Sequence, residues 1–170
     1  MHKILRIAIL IIFSHTVNAQ TNNWRINLGV GFPEFTHIGV GYKFADKHLA
    51  SFNYGFLPGF ETTFSIFTAE HSYFLSPSKK FDRLKTWYFG QKITYYRETN
   101  TSKRFEYVFL GLDFGRQFNF SKTFGFCFDL GVAYSIIDEE SFLDSSKGEL
   151  NQEAPTRIFP NANIQLFYRL

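Results

Sequence analysis

The chain has 170 residues, with 18 Lys and Arg against 15 Asp and Glu, a single cysteine, and an aromatic content of 20% that includes 23 phenylalanines. That length suits one domain, and an apolar fraction of 45% is too high for a disordered chain. One cysteine excludes a disulfide framework or a multi-cysteine zinc site, and a net charge of +3 gives no basic surface for nucleic acid.

At the start, Lys3 and Arg6 precede and enter an apolar run from Ile7 to Phe13, and Val17-Asn18-Ala19 stands at cleavage spacing. This is the pattern of a secretory signal peptide over residues 1–19, too short to span a membrane as a helix. Removing it takes away Lys3 and Arg6 and leaves 16 basic residues against 15 acidic ones in residues 20–170.

From residue 24 the dominant period is two. Over 24–32, Trp24, Ile26, Leu28, Val30 and Phe32 share one face, opposite Arg25, Asn27, Gly29 and Gly31. Over 36–44, Ile38, Val40, Tyr42 and Phe44 oppose His37, Gly39, Gly41 and Lys43, and over 48–56 Phe52, Tyr54 and Phe56 oppose Ser51, Asn53 and Gly55. The segment 62–75 changes parity between Phe64-Ile66 and Phe67-Ala69-Tyr73, which predicts a β-bulge near Ile66-Phe67. Further alternating runs cover 86–98, 105–118, 123–135 and 157–170. Strict alternation over such lengths is strand. Pro33-Glu34-Phe35, Ala45-Asp46-Lys47 and 119–122 read as short connections, whereas 136–156 is long and acidic, with Asp138, Glu139, Glu140, Asp144, Glu149 and Glu153 against Lys147.

The distribution of residue types orients the sheet. The more polar face holds Gly29, Gly39, Gly111, Gly115, Gly125 and Gly131 among charges, which suits the narrow interior of a closed eight-stranded barrel. The other face is a belt that includes Leu28, Val40, Phe52, Leu112, Phe128, Leu130, Ile164 and Leu166. Tilted strands of this length cross a hydrocarbon layer, and closure removes the edges that lipid would leave unpaired. The expected fold is all-β: a closed antiparallel eight-stranded transmembrane up-and-down β-barrel occupying residues 20–170. Trp24, Tyr42, Phe44, Trp87, Tyr134 and Tyr168 fall near strand ends, where aromatic girdles sit.

The whole pattern, down to the terminal run Asn163-Ile164-Gln165-Leu166-Phe167-Tyr168-Arg169-Leu170, resembles the small eight-stranded outer-membrane barrels of the OmpX-like and OmpA transmembrane-domain-like kind. The resemblance is architectural, and Leu170 departs from the usual terminal Phe. It implies residence in the outer membrane of a Gram-negative bacterium, with both chain ends toward the periplasm. It also implies outer-membrane lipid as surroundings and delivery to the barrel-insertion machinery through the C-terminal strand. The Phe- and Tyr-rich style is similar to barrels from Bacteroidota.

Chemistry-bearing residues are few. Glu70-His71-Ser72 contains the types of a hydrolytic triad, but adjacent strand residues face opposite sides, so no local triad forms and no catalytic residue is assigned. His37 and Cys127 read as an interior polar group and a small interior filler, and no spacing suggests a cofactor or metal site. Arg25, Lys43, Lys92, Arg157 and Arg169 are expected inside with Glu61, Glu70, Asp113 and Asp129, pairing into a network that plugs the bore. The expected role is non-enzymatic: structural, surface-interacting or accessory to an envelope complex through a protein partner. The rival readings are an outer-leaflet lipid-modifying enzyme and a periplasmic lipocalin-like carrier, the latter needing an apolar interior.

Overall fold

A computed structural model of the chain describes residues 23–57, 63–75, 86–100, 103–142 and 157–170. The signal segment 1–19 lies outside the described residues, as do Glu61, Asp144, Glu149 and Glu153 and most of the long connections. Eight strands follow in chain order: β1 (Trp24–Phe32), β2 (Phe35–Ala45), β3 (His48–Phe56), β4 (Thr63–Phe74), β5 (Trp87–Thr99), β6 (Lys103–Asn119), β7 (Phe124–Phe142) and β8 (Ile158–Arg169). Each pairs antiparallel with the next, and β1 pairs with β8, from Arg25 opposite Arg169 to Phe32 opposite Ala162, so the sheet closes. Chain ends and the turns at 46–47 and 120–123 lie at one rim, here the terminal rim. The connection at 33–34, the end of β5 at Thr99 and the start of β6 at Lys103 lie at the opposite rim.

The period of two becomes an inside and an outside. Along β1, Arg25 and Asn27 are buried while Leu28 is 51% exposed, and along β7 Asp129 is buried while Leu130 is 53% exposed. All eight residues expected in the apolar belt, Leu28, Val40, Phe52, Leu112, Phe128, Leu130, Ile164 and Leu166, face outward and are exposed. Aromatic pairs mark the terminal rim, with Trp24 against Tyr42 at 4.7 Å and Trp87 stacked on Phe114 at 5.2 Å.

Two expectations are corrected. Among the described residues β4 pairs with β3 and β5 in unbroken register, with Gly55 opposite Ile66 and Tyr54 opposite Phe67, so there is no bulge at Ile66-Phe67. Ile66 is fully buried and Phe67 is 40% exposed. The parity change was only apparent, because the interior near the rim opposite the chain ends is itself apolar. Phe35 packs there against Phe64 and Tyr96, each at 6.3 Å, and apolar side chains on β4 therefore face inward as well. Register shifts fall instead between Lys43 and Ala45 and at Val108/Phe109, opposite Ser135 and Ile137.

The second correction concerns the acidic segment. Strand β7 does not end near Ser135 but runs to Phe142, held by β6 as far as Lys103 opposite Phe142. Asp138, Glu139 and Glu140 are thus strand residues and not part of a loop. Pairing of β7 with β8 stops at Tyr134 opposite Ile158, so the last stretch of β7 projects with β6 beyond that pairing.

The register of β4 yields a discriminating expectation. Ile66→Ala should destabilise the folded barrel by about 2–5 kcal/mol, the range for emptying a closed aliphatic site, and Phe67→Ala by clearly less. Urea unfolding in detergent micelles measures both, and a bulge at this point would reverse the order.

Candidate functional site

The centre of the bore is built around one ammonium. Lys92, 6% exposed on β5, directs Nζ to Asp113 Oδ2 at 2.9 Å, Glu34 Oε1 at 3.6 Å and Asp129 Oδ1 at 3.8 Å. Gly111 stands opposite Lys92, and a methyl group there would come within 2.5 Å of Lys92 Cγ, so the lysine stem lies across a position that only glycine leaves free. Asp113 faces Gly131 on one side and Gly90 on the other. A side chain at Gly131 would strike the Leu112 carbonyl and the Asp113 carboxylate, whereas one at Gly90 would meet Asp113 Cβ at an ordinary 3.5 Å.

Neutral donors complete the carboxylates. Asn161 Nδ2 donates to Asp113 Oδ1 at 2.7 Å, and Tyr88 Oη and Asn163 Nδ2 donate to Asp129 Oδ2 at 2.7 and 3.3 Å. Ser72 donates to Glu70 Oε1 at 2.7 Å, and the hydroxyls of Thr68 and Thr94 meet at 2.9 Å. His37 Nδ1 donates to the Phe35 carbonyl at 3.4 Å, which leaves Nε2 to accept from Gln165 at 3.2 Å. Buried charges supplied with partners in this way avoid the cost of bare desolvation.

Layers of different chemistry lie above and below. Toward the rim opposite the chain ends, Phe32, Phe109 and Phe159 meet at 5.9–6.3 Å and join Phe35, Phe64 and Tyr96. Toward the terminal rim, Leu49, Phe74, Tyr88, Cys127 and Phe167 form a buried apolar cluster. Arg25 lies beside it, donating to Gln165 at 3.4 Å, with its guanidinium 5.7 Å from the centre of the Phe167 ring. Arg169 covers the same ring from below at 4.5 Å and donates to Asn119 at 2.7 Å.

The expected interior set is thus placed unevenly. Arg25, Glu70, Lys92, Asp113 and Asp129 are in the bore, and Arg169 is at its mouth beside Asn119 rather than on a carboxylate. Lys43 is a correction: it sits at the lip, where the chain leaves the strand register, and pairs with Asp46 at 3.3 Å. Arg157 is another, exposed just before β8 at a rim where the wall no longer encloses it. Glu34 was missed. The sequence reads it only as part of a short connection, yet it is 1% exposed, because the two-residue turn folds into the bore and its carbonyl packs over Gly55. Phe35, at φ 53°, holds the left-handed conformation that this inward turn imposes on a bulky residue. The only hint in the sequence was a connection too short to project.

Glu70 and Ser72 are joined inside the barrel, while His71 lies outside and meets His48 at 3.0 Å. Among the described residues no group of His, Cys, Asp and Glu has the geometry to hold a metal ion, and no helix is long and apolar enough to cross a membrane, which says nothing of crossing by strands.

The class is therefore that of the small closed antiparallel eight-stranded barrels, apolar outside and charged within. No protein-family model matches the chain, and no curated protein matches it. Among solved structures the fold is similar to that of CarO from Acinetobacter baumannii, with a TM-score of 0.49 and 9% identity over 91% of this chain and 100% of that one.

The lumen geometry sets two expectations. Lys92→Met should destabilise the barrel by about 3–5 kcal/mol by leaving buried carboxylates uncompensated, and adding Asp113→Asn should recover part of that loss. Gly131→Ala should impair folding where Gly90→Ala does not. Denaturant titrations of the refolded variants test both.

Proposed function

We propose that the chain is a non-enzymatic β-barrel of a Gram-negative outer membrane, with a plugged bore and a surface-interacting or envelope-accessory role. The observation that carries the reading is the inversion of polarity. Leu112 and Leu130 are 51% and 53% exposed on the outer wall, while Lys92, Asp113 and Asp129 are 6%, 2% and 4% exposed inside. A water-soluble carrier of lipocalin type would need the reverse. A belt of this kind is stable against hydrocarbon, and the closed sheet leaves no unpaired edge within it. The secretory pattern of residues 1–19 and the C-terminal strand β8 fit export, signal removal and delivery to barrel-insertion machinery.

The layered interior supports a plug. An aromatic layer, a charged layer and an apolar cluster succeed one another along the bore, so a hydrated ion meets side chains at every level. With the interior occupied, the surface available to partners is at the rims. Beyond Ser135, whose amide donates to the Arg157 carbonyl at 3.0 Å, the side of β7 away from β6 has no neighbouring strand among the described residues, and the projecting β6–β7 strand pair carries Glu106, ion-paired with Arg97 at 2.7 Å. A rigid scaffold that projects such a strand pair suits capture of an envelope protein, since an open edge can pair with a partner strand. An outer-leaflet lipid-modifying enzyme is disfavoured by the separation of His71 from Ser72 and Glu70 by the barrel wall.

Two measurements test the reading. Leu130→Arg and Leu112→Arg should each lower stability in phospholipid vesicles by about 2–4 kcal/mol if they lie near the midplane. In planar bilayers the wild-type chain should give no large, stable conductance steps. Steady steps from a verified monomer would overturn the plugged bore, and tolerance of arginine at both belt positions would overturn the membrane reading.

A further inference from the structure

Near the terminal rim, two histidines interrupt the apolar outer wall. His48 opens β3 and His71 lies near the end of β4, both outward-facing and half-buried. Their rings stack, with centroids 5.2 Å apart and planes at 16°, and His48 Nδ1 lies 3.0 Å from His71 Nε2. Phe44 flanks the two rings at 5.5 and 6.0 Å, and Tyr73 packs on His48 at 5.1 Å. Lys47 Nζ is 5.9 Å from the centre of the Tyr73 ring.

A hydrogen-bond inventory shows what this pair lacks. One N–H joins the two rings, and whichever ring donates it, the neutral pair keeps one further N–H directed away from the shared bond. At the edge of a hydrocarbon layer such a donor is costly without an acceptor. Lys47 brings positive charge to the same place, while Asp46, the acid of that turn, is engaged by Lys43 at 3.3 Å. Deeper in the wall the chemistry changes in a fixed order. Gln91, an exposed amide, stands opposite His71 on β5. In the next row Ala69 is opposed by Phe52 on one side and Ile93 on the other, so its small side chain leaves a trough between two large ones. Cation and imidazole, then amide, then apolar trough is the order in which a phospholipid presents phosphate, ester carbonyl and acyl chain.

We propose that this surface holds one anionic phospholipid of the leaflet at the terminal rim. Its phosphate accepts from the His48–His71 pair and is balanced by Lys47, an ester carbonyl accepts from the Gln91 amide, and an acyl chain lies over Ala69 between Phe52 and Ile93. The site rests on the membrane reading above.

The test is retention of lipid by the full-length protein as it is found after insertion. The chain is inserted into vesicles of mixed phosphatidylglycerol and phosphatidylcholine, extracted in mild detergent and weighed by native mass spectrometry. The wild type should retain one phosphatidylglycerol in preference to phosphatidylcholine. His48→Phe with His71→Phe preserves ring stacking but removes the donors, and should reduce that retention roughly tenfold, equivalent to about 1.4 kcal/mol. Lys47→Gln, in an exposed turn where folding is not at stake, should reduce the preference for the anionic lipid over phosphatidylcholine. Equal retention of the two lipids by the wild type, unchanged retention by both variants, or displacement of the lipid by inorganic phosphate would overturn the site. Insertion without retained lipid overturns the site alone, whereas failure to insert overturns the membrane reading and the site with it.

Discussion

In the proposed membrane setting a strand has no water for its backbone amides, so each of the eight must be flanked by two others, and the pairing of β1 with β8 is what makes that possible. The rest of the structure follows from closure at this strand number. An eight-stranded ring leaves a bore only wide enough for side chains, and every inward residue competes with those on neighbouring strands. Glycines on the inward parity resolve that competition locally. Lys92 crosses Gly111, Tyr88 crosses Gly115, and Phe167 crosses Gly125, each occupying the volume that a methyl group on the facing strand would fill. The glycine pattern is therefore a map of where large interior side chains lie.

The central charge cluster depends on that map. Lys92 contacts carboxylates from β6, from β7 and from the turn after β1, so one ammonium ties that turn across the bore to strands with which it shares no ladder. Buried ion pairs contribute little net stability, since desolvation offsets attraction. Their effect here is on register. A slip of one residue in β5 would turn Lys92 out into the belt and Ile93 into the charged layer, and both errors carry a desolvation cost. The inward turn at Pro33-Glu34 is held by the same logic, because Glu34 finds its counter-charge only inside.

How much of this could be read from residues alone divides along physical lines. The parity of β1, β3 and β7 was legible because a polar interior and an apolar exterior put opposite types on alternate residues. So were the identities of Arg25, Glu70, Lys92, Asp113 and Asp129 as interior charges. Legibility failed where the two environments converge. On β4, Ile66 and Phe67 are both apolar because one faces the aromatic layer and the other faces outward, and type alone does not separate them. It failed again where geometry overrides composition. Glu34 has the composition of a turn, and only the shortness of the connection and the space over Gly55 bring it inside. The extent of β7 was hidden for a third reason. Asp138 and Glu139 are poor strand formers, and β6 pairing carries the strand through them regardless.

The two rims of the same wall solve different problems. At the rim opposite the chain ends Phe32, Phe35 and Phe109 meet over the charged layer beside the inward Pro33-Glu34 turn. Arg97 lies over the Tyr95 ring there at 5.5 Å, and at the terminal rim further cations lie on rings. Lys47 covers Tyr73, Arg116 covers Trp87 at 5.0 Å and Phe118 at 4.7 Å, and Arg169 covers Phe167. A cation over a ring keeps its charge toward polar surroundings while its stem and the ring remain against apolar ones, which suits the lipid–water boundary of the proposed membrane setting. With a chain carrying only +3 in all, this enrichment comes from placement and not from composition. The histidine pair belongs to the same arrangement: beside Lys47 and among rings, the imidazoles stand where the proposed phospholipid would bring its phosphate and its acyl chain.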